Sequence, residues 1–283
     1  MIGAGRPDSP AITGILSGGG VKAAAHLGAL GVLFEAGLAP TRYVATSMGA
    51  VIAAMMAGGI PLEQIAVRLG AVRRREVFRP DRAGLLKGMF ARSLFRPEPV
   101  RRLFQELLPV AGFGDLATPL SVVATDLDTG ELLVFGAGGE EVPLLDALCA
   151  SSALPPFFPP FRLGGRRCAD GGLRAVVPLE VAARFEADLV VAIDVGAGFD
   201  TPPDPNAPPM PALLRLQTDA QRILMASNTT AQYALWLRTP GRPPLRWIRP
   251  RVRRGDTFAL EQLSWYVEEG ARAARAALRE QHS

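Results

Sequence analysis

The chain has 283 residues, a net charge of +4 and a composition that is 48% hydrophobic and 20% charged. This composition suits a globular α/β domain with a large core, and it excludes an intrinsically disordered chain. The basic residues form no dense block interleaved with aromatic residues, so nucleic acid is not predicted as a partner.

The two cysteines, Cys149 and Cys168, are too few for a disulfide framework and predict free thiols in a reducing compartment. Residues 1–10 lack the apolar core of a signal peptide and are expected to be a flexible N-terminus. The most apolar stretch, residues 44–60, is interrupted by polar residues and glycines and falls short of a membrane span. We therefore expect a cytoplasmic protein whose excess of basic residues allows peripheral contact with an anionic membrane face.

In chain order, the pattern first predicts two strand–helix units and a further helix. A short apolar run at 11–16 predicts a buried strand, and the helical spacing of 21–35 predicts the helix that follows it. A second strand at 42–45 precedes an apolar helix at 48–56. A proline suited to a first helical turn then opens a helix at 61–69.

The second half of the chain begins with a predicted hairpin, in which a turn at 128–130 joins strands at 120–125 and 131–135. The proline-rich stretch 155–160 can be neither helix nor central strand, and a second one, 201–211, is predicted to be an exposed loop. The remaining predicted elements are a helix at 144–152, a strand at 189–195, a helix at 212–237, a strand at 245–248 and a closing helix at 258–278.

Strands that alternate with helices predict a mainly parallel sheet covered by helices on both faces. We expect a single domain over residues 11–279, followed by a short tail at 280–283. Sites in such sheets lie at the carboxyl ends of strands. This rule points to the segments at 17–20 and 46–49 and to the region of Asp170.

The first candidate site is Ser17 followed by Gly18, Gly19 and Gly20, between a predicted strand and a predicted helix. Three glycines allow a tight turn whose N–H groups lie at a helix N-terminus, where anions are stabilised. Such a turn suits an oxyanion hole or a phosphate cradle, and with Ala23 it even fits a dinucleotide fingerprint. The lack of an acidic residue after the second strand and of a Walker serine or threonine disfavours nucleotide binding.

The second candidate is Ser47, which lies between a predicted strand and helix and is flanked by the small residues Ala45 and Gly49. A sharp turn of this kind presents a serine hydroxyl at the tip of the sheet, as a nucleophile elbow does. The alternative is a serine that caps the following helix. The glycine turn one strand–helix unit earlier favours the nucleophile.

The histidines restrict what could activate this serine. The chain has two, His26 within the first predicted helix and His282 beside the end of the sequence. His26 is interpreted as a packing or capping residue, and His282 as part of a frayed tail. A Ser-His-Asp triad is therefore disfavoured, and a carboxylate is the simplest alternative base.

Asp170 is the favoured carboxylate because Gly171 and Gly172 follow it and let it approach another backbone closely. Asp126 and Asp194 also lie near strand ends, but neither has such a glycine flank. Both are interpreted as structural residues.

These segments, in this order, resemble the patatin-like phospholipase family over residues 12–274. The resemblance is carried by Ser17 to Gly20 with Ala25 to Gly28, Thr46 to Ala50, Ala124 to Leu127 with Gly130 and Glu131, Ala150 to Pro155 with Phe158 to Pro160, and Asp170 to Leu173 with Pro178 and Leu179.

The resemblance implies a three-layer α/β/α fold around a mainly parallel sheet. It implies that Ser47 is the nucleophile, that Asp170 is the proton acceptor, and that the backbone of Gly18, Gly19 and Gly20 forms an oxyanion hole. The implied reaction is hydrolysis of a carboxylic ester in a lipid through an acyl-enzyme. It implies no metal and no cofactor.

Two positions depart from the family pattern, because Ala23 and Ala45 stand where glycines are expected. They motivate an alternative in which the chain is a weakly active or inactive protein that binds a lipid or a partner. Residues 73–108 mix apolar residues with arginines and are expected to form a cap-like helical region. This region either packs on the sheet or forms an acyl-chain wall at a membrane interface. The sequence yields no prediction of the oligomeric state.

Overall fold

The computed structural model describes residues 10–82, 86, 93–203, 211–253 and 260–279. Several sequence-based expectations fall outside these residues. They are the flexible N-terminus up to residue 9, the centre of the cap-like region (83–85 and 87–92), residues 204–210 of the proline-rich loop, the first two residues of the closing helix (258 and 259), and the tail at 280–283.

The centre of the fold is an eight-stranded sheet made of β1 (Ile12–Leu16), β2 (Arg42–Thr46), β3 (Leu120–Asp126), β4 (Leu132–Gly136), β5 (Phe161–Leu163), β6 (Arg166–Asp170), β7 (Leu189–Ile193) and β8 (Leu245–Ile248). Strands β8, β7, β1, β2 and β3 are neighbours in that order and run parallel. Strands β4, β5 and β6 join antiparallel. The predicted mainly parallel sheet is confirmed.

Ten α-helices lie within the described residues: α1 (Ala25–Glu35), α2 (Ser47–Ala57), α3 (Leu62–Gly70), α4 (Arg74–Val77), α5 (Glu98–Leu107), α6 (Leu144–Ser151), α7 (Gly172–Ala175), α8 (Leu179–Ala182), α9 (Ala212–Arg238) and α10 (Leu263–Arg279). A 3-10 turn, Gly20–Ala24, precedes α1 directly. No helix among the described residues is both long and apolar enough to cross a membrane.

Helices cover both faces of the sheet, and each face has its own apolar core. Successive strand residues point to opposite faces. Leu16 and Val122 therefore belong to the larger core, which α1, α2 and α10 cover. Ile15 and Val123 belong to the smaller core beneath α7, α8 and α9. The result is the expected three-layer α/β/α arrangement.

The hairpin of β5 and β6 is a correction to the sequence-based elements. This hairpin is absent from the predicted elements, and it makes Asp170 the last residue of β6. Gly164 and Gly165, with φ of 57° and 81°, form the turn between the two strands. A Gly-Gly pair between two short runs is a hairpin signal, so this element was detectable in the sequence.

Helices α1 and α10 cross closely at two glycines. A Cβ atom on Gly28 would overlap the carbonyl oxygen of Val267, and one on Gly270 would overlap that of Ala25. Since the obstructing atoms are backbone atoms, neither position has room for a side chain. Because α1 follows the glycine turn directly, this crossing also anchors the turn.

The crossing predicts opposite effects for two glycines of α1. Gly28→Ala should lower the free energy of unfolding by about 1–3 kcal/mol or more, because helix α10 has to move away. Gly31→Ala should raise it by up to about 1 kcal/mol, since alanine favours helix and its Cβ would make only an ordinary 3.9 Å contact with Leu62 Cδ1. Urea unfolding followed by circular dichroism measures both, and equal effects of the two substitutions would contradict the tight crossing.

Candidate active site

The edge of β3 brings Ser47 and Asp170 together. Val123 of β3 pairs with Thr46, the last residue of β2, and the next residue, Ala124, pairs with Asp170, the last residue of β6. Val123 and Ala124 also both pair with β4. Strands β2 and β6 must therefore share the other edge of β3 and meet end to end. This register places residue 47 beside residue 170, although 123 positions separate them in the sequence.

Ser47 occupies a backbone conformation that few residues adopt. Its φ is 54°, and it is the only non-glycine residue with a positive φ among those described. It is also the first residue of α2, where its N–H donates to Ser151 Oγ at 2.8 Å. Strained conformations of this kind occur where surrounding contacts hold them, often at functional sites. Ser47 is therefore a strained residue at the junction of β2 and α2.

Gly49 makes this turn sterically possible. A Cβ atom at this position would lie 2.5 Å from Leu16 O and would overlap Ser17 O. The start of α2 therefore passes directly against the end of β1 and the glycine turn. Gly49, a small residue two positions after Ser47, permits this close approach.

The Ser47 hydroxyl donates to Asp170 Oδ2 at 2.6 Å. Both residues are buried, with 8% and 4% of their surface exposed. The alternative interpretation of Ser47 as a cap for α2 does not hold, because α2 has no side-chain cap hydrogen bond. The Ser47 hydroxyl instead donates its hydrogen bond to the Asp170 carboxylate.

The Asp170 carboxylate is held in place by its own strand end. Its Oδ1 accepts the N–H of Gly172 at 2.7 Å, its carbonyl accepts the Thr125 hydroxyl at 2.9 Å, and its N–H donates to Ala153 O at 3.0 Å. A Cβ atom at Gly171 would overlap Val123 O, so this glycine permits the close approach to β3. The carboxylate therefore has little freedom to turn away from Ser47.

Burial raises the pKa of Asp170 from its ordinary value of 3.8 to about 6, even though hydrogen bonds from Ser47 and Gly172 act in the opposite direction. Desolvation disfavours the charged form of a carboxyl group. The carboxylate is still mostly ionised at neutral pH, and it is a stronger base than an exposed aspartate. This combination suits a group that accepts a proton from a hydroxyl.

The three glycines of the turn differ in what their N–H groups contact. The Gly18 N–H donates to Val176 O at 3.0 Å, so it is not available to an anion while that bond holds. Gly19 and Gly20 have no acceptor for their N–H groups among the described residues. Both line the same cavity as Ser47. Of the three glycines predicted to form an oxyanion hole, Gly19 and Gly20 therefore keep N–H groups that an anion could reach.

The side chains around the turn explain its shape. Gly20 has a φ of 61°, a left-handed conformation that favours glycine. A Cβ atom on Gly19 would lie 2.6 Å from Val195 Cγ2. The hydroxyl of Ser17 accepts the Val195 N–H at 2.8 Å and ties the turn to the segment that follows β7.

The structure gives His26 no role as a base for Ser47. It is fully buried, and its Nε2 lies 3.0 Å from Ser17 O. Because a carbonyl oxygen only accepts, Nε2 carries the proton of a neutral ring. Burial lowers the pKa of His26 to about 4. The histidine supports the glycine turn from below, in agreement with its interpretation as a packing residue.

The two competing carboxylates bind backbone N–H groups of their own loops. Asp126 Oδ1 accepts the N–H groups of Asp128 and Thr129, which shapes the β3–β4 turn. Asp194 Oδ1 accepts the Gly196 N–H at 2.9 Å. Within the described residues neither carboxylate has a hydrogen bond to Ser47, which agrees with their structural interpretation.

Ala23 and Ala45, which replace family glycines, sit where alanine is tolerated. Both are buried, and neither has a positive φ. Ala45 lies within β2, one residue before Thr46. The backbone conformation therefore provides no reason to expect an inactive site, which was the ground for that alternative.

Sequence reasoning missed two polar residues that position the site. Ser151, at the end of α6, accepts the Ser47 N–H, and the Thr46 hydroxyl donates to Ala175 O at 2.9 Å. Neither role follows from local spacing, because each joins segments more than 100 residues apart. The one hint in the sequence of a positioning role for Ser151 was the pair of serines, Ser151 and Ser152, ahead of the proline-rich stretch.

A cavity of about 1380 Å³ opens beside Ser47, Asp170, Gly19 and Gly20. Most of its lining is apolar. Large apolar cavities with a few converging polar groups are the usual form of a ligand site. No group of three or more His, Cys, Asp or Glu side chains within the described residues could hold a metal ion. The polar groups of its lining include the paired Ser47 and Asp170 and the glycine turn beside them.

The three-layer fold and this wall define an α/β protein with a paired serine and carboxylate beside a glycine turn. A family model described as "Patatin-like phospholipase" matches residues 14–183, which include both paired residues and the turn. The chain therefore belongs to the patatin-like phospholipase family.

Curated relatives agree with this assignment. An uncharacterized NTE family protein of Mycobacterium tuberculosis is 30% identical over 201 residues, which are 71% of this chain and 53% of that protein. The protein YqhO of Bacillus subtilis is 31% identical over 64% of this chain and 70% of its own length. Patatin-like phospholipase domain-containing protein 6 of Mus musculus is 30% identical over 66% of this chain, but only 14% of that protein. The chain thus spans about half the length of the mycobacterial relative.

Solved structures resemble the chain more distantly. VipD from Legionella pneumophila has a TM-score of 0.49 at 16% identity, with 96% of this chain and 67% of that chain covered. The type III effector ExoU has a TM-score of 0.46 at 16% identity, with 97% and 53% covered. Likenesses of this extent support no conclusion about activity.

The buried Asp170 carboxylate predicts a pH-dependent gain of stability in Asp170→Asn. The wild-type fold binds the proton more tightly than the unfolded chain does, so it loses stability as pH rises from about 4 to about 6. Asparagine carries no charge and avoids this loss. The free energy of unfolding of the variant should therefore rise relative to that of the wild type across this pH range, by up to about 3 kcal/mol above pH 6. Urea unfolding at several pH values measures the difference, and a difference that is constant with pH would contradict it.

Proposed function

We propose that this chain is a lipid acyl hydrolase that cleaves carboxylic esters, with Ser47 as nucleophile and Asp170 as its base. The observation that carries the proposal is the 2.6 Å hydrogen bond from the Ser47 hydroxyl to a buried carboxylate, at the wall of a large apolar cavity. Membership of the patatin-like phospholipase family supports it.

In the proposed acylation step, Asp170 takes the Ser47 proton as Oγ attacks the ester carbonyl carbon. The carbonyl electron pair moves onto its oxygen, which becomes an oxyanion. When the pair returns, the ester C–O bond breaks, and the leaving alkoxide takes the proton from Asp170. The products of this step are an acyl-enzyme on Ser47 and a free alcohol.

In the proposed deacylation step, water replaces the hydroxyl of Ser47. Asp170 accepts a proton from the water as its oxygen attacks the acyl carbon. Collapse of the second oxyanion breaks the bond to Ser47 Oγ, and the proton returns from Asp170 to the serine. A single carboxylate thus serves both halves of the reaction, and no histidine is required.

The N–H groups of Gly19 and Gly20 are the proposed donors to the oxyanion. They lie at the start of the Gly20–Ala24 turn that leads into α1, where backbone N–H groups carry partial positive charge. A donor fixed before the reaction stabilises developing charge without reorganisation, and losing one typically costs about 2.7–4 kcal/mol of barrier.

An aromatic cluster in the cavity suits the acyl chain of a lipid. Phe95 lies 5.8 Å from the rings of Phe78 and Phe158 and 6.3 Å from that of Phe157. Its N–H donates to Phe157 O at 2.9 Å, which ties the cap-like region to the proline-rich stretch. All four rings line the cavity that contains Ser47. Burying an acyl chain against such rings releases about 25 cal/mol per Å² of apolar surface.

The proposed nucleophile predicts covalent labelling at a single serine. A fluorophosphonate probe should label the wild type and fail to label Ser47→Ala. Turnover of a p-nitrophenyl ester should fall by about a thousandfold or more in Ser47→Ala and in Asp170→Asn. Mass spectrometry of the labelled peptide and a colorimetric assay make the two measurements.

A matched control is available in the same cavity. Ser152 lines it, but its hydroxyl has no hydrogen-bond partner among the described residues. The fluorophosphonate probe should therefore label Ser152→Ala as strongly as it labels the wild type. If Ser47→Ala is labelled as strongly as the wild type, Ser47 is not the nucleophile.

The raised pKa of Asp170 predicts the pH profile of the reaction. Only the ionised carboxylate accepts a proton, so kcat/KM should be level above about pH 6 and should fall about tenfold per pH unit well below it. Initial rates with a soluble ester from pH 4 to pH 8 measure this profile. A fall in rate that begins only near pH 4 would mean that the base is an ordinary exposed carboxylate. No fall in rate would mean that the base is another group.

A further inference from the structure

Five arginines at the start of the cap-like region are exposed to solvent. We call them the arginine patch; they are Arg73, Arg74, Arg75, Arg79 and Arg82. Within the described residues none of these side chains forms an ion pair or stacks on an aromatic ring. Like charges held this close together repel one another and oppose folding. Their concentration here therefore favours an anionic partner.

The cap-like region holds most of the excess positive charge of the chain. Residues 73–108 include nine arginines, one lysine and four acidic residues, a net charge of +6, whereas the whole chain has +4. Outside this region acidic residues outnumber basic ones. The basic character of the protein is therefore local, and the field that it creates attracts anions to one side of the molecule.

The arginine patch borders the opening of the cavity that contains Ser47. Arg74 is exposed and also lines this cavity. Val77, Phe78 and Pro80, from the same segment, line the cavity as well, and Val77 is buried. The segment thus presents apolar side chains to the cavity and arginines to solvent. Whatever binds the patch lies about one helix diameter, 10 Å, from the cavity lining.

Backbone pairing fixes the segment that carries the patch. The Asp81 N–H donates to Leu94 O at 2.9 Å, and the Arg96 N–H donates to Arg79 O at 3.0 Å. The Asp81 carboxylate lies 3.9 Å from the Arg96 side chain in an ion pair. Glu76 is the other acidic residue among 73–82. Two carboxylates, one of them paired with a sixth arginine, leave the patch with a net positive charge.

An exposed leucine lies beside the patch. Leu86 is 90% exposed, and its N–H donates to Arg82 O at 3.2 Å. A single exposed leucine is common on protein surfaces. Next to five arginines and an apolar cavity, however, it matches the combination found in peripheral membrane contacts, where basic residues meet headgroups and an apolar side chain enters the acyl boundary. An acidic protein would engage the arginines without any need for the leucine.

We propose that the arginine patch and Leu86 dock this protein on an anionic lipid bilayer, with the cavity opening against the membrane. Guanidinium groups donate paired hydrogen bonds to lipid phosphates, and an anionic leaflet attracts each arginine. No described helix is long and apolar enough to cross the bilayer, so the contact is peripheral. The use of this docking rests on the proposed lipid acyl hydrolase function, because it brings the cavity to its substrate.

Vesicle flotation tests the docking separately from the chemistry. The Ser47→Ala protein, which should not consume the lipid, is the parent. It is mixed with vesicles of phosphatidylcholine alone or of phosphatidylcholine with an equal part of phosphatidylglycerol. We expect flotation with the mixed vesicles only, and it should weaken at high salt because salt screens exposed charges.

Two variants of the parent alter the docking surface. The first combines Arg73→Gln, Arg75→Gln and Arg79→Gln, and none of these residues lines the cavity. One arginine near an anionic leaflet strengthens binding by about fivefold, so this triple variant should bind the mixed vesicles about a hundredfold more weakly. The second, Leu86→Ser, should bind about tenfold more weakly, because it removes the apolar surface that the bilayer buries.

A matched control removes the same charge from another part of the surface. Arg238 at the end of α9 and Arg275 and Arg279 on α10 are exposed, and none of them lines the cavity. Within the described residues they form no ion pair. Arg238→Gln, Arg275→Gln and Arg279→Gln together should float like the parent. Circular dichroism should show that all variants keep their fold.

Several results would overturn the docking surface. They are no flotation of the parent, unchanged flotation of the patch variant or of Leu86→Ser, and an equal loss in the control. Binding to soluble polyglutamate that is as tight as to mixed vesicles and insensitive to Leu86→Ser would instead assign the patch to an acidic protein. In the Ser47 background, the patch substitutions should leave turnover of a soluble p-nitrophenyl ester unchanged, so a failure of the proposed chemistry is seen separately.

Discussion

The candidate site depends on one constraint of the sheet, namely that β2 and β6 share a single edge of β3. Adjacent residues of β3, Val123 and Ala124, pair with Thr46 and Asp170. Backbone hydrogen bonds therefore set the distance between the serine and the carboxylate, and side-chain packing only refines it. A pair positioned in this way tolerates many changes in the two cores, provided that the strand register is kept.

Burial of Asp170 lowers the stability of the fold, and it also makes the carboxylate a stronger base. A carboxylate removed from water has a raised pKa, and the hydrogen bonds from Ser47 and Gly172 keep it ionised at neutral pH. The strained φ of Ser47 is a second local cost. Both costs are local to the ends of β2 and β6, and the surrounding parallel sheet and its two cores supply the stability that tolerates them.

Much of this arrangement could be predicted from the sequence, because its signals are local. Alternating strand and helix patterns predicted the mainly parallel sheet, and the shortage of histidines directed attention to Asp170. Other features depend on long-range contacts that no spacing reveals. They include the bond from Gly18 to Val176, the bond from Ser47 to Ser151, and the exposure of the leucines on α9. The helical spacing of apolar residues does not show whether a given leucine packs in a core or faces solvent.

The tight crossing of α1 and α10 has a consequence for the order in which the molecule is assembled. Ribosomes release Ser47, Asp170 and the glycine turn well before residues 263–279 emerge. Until that late helix arrives, α1 lacks the partner that fills its Gly28 side, and the turn it carries is less firmly held. We therefore expect the glycine turn, and with it the candidate site, to become rigid only after residues 263–279 have been synthesised.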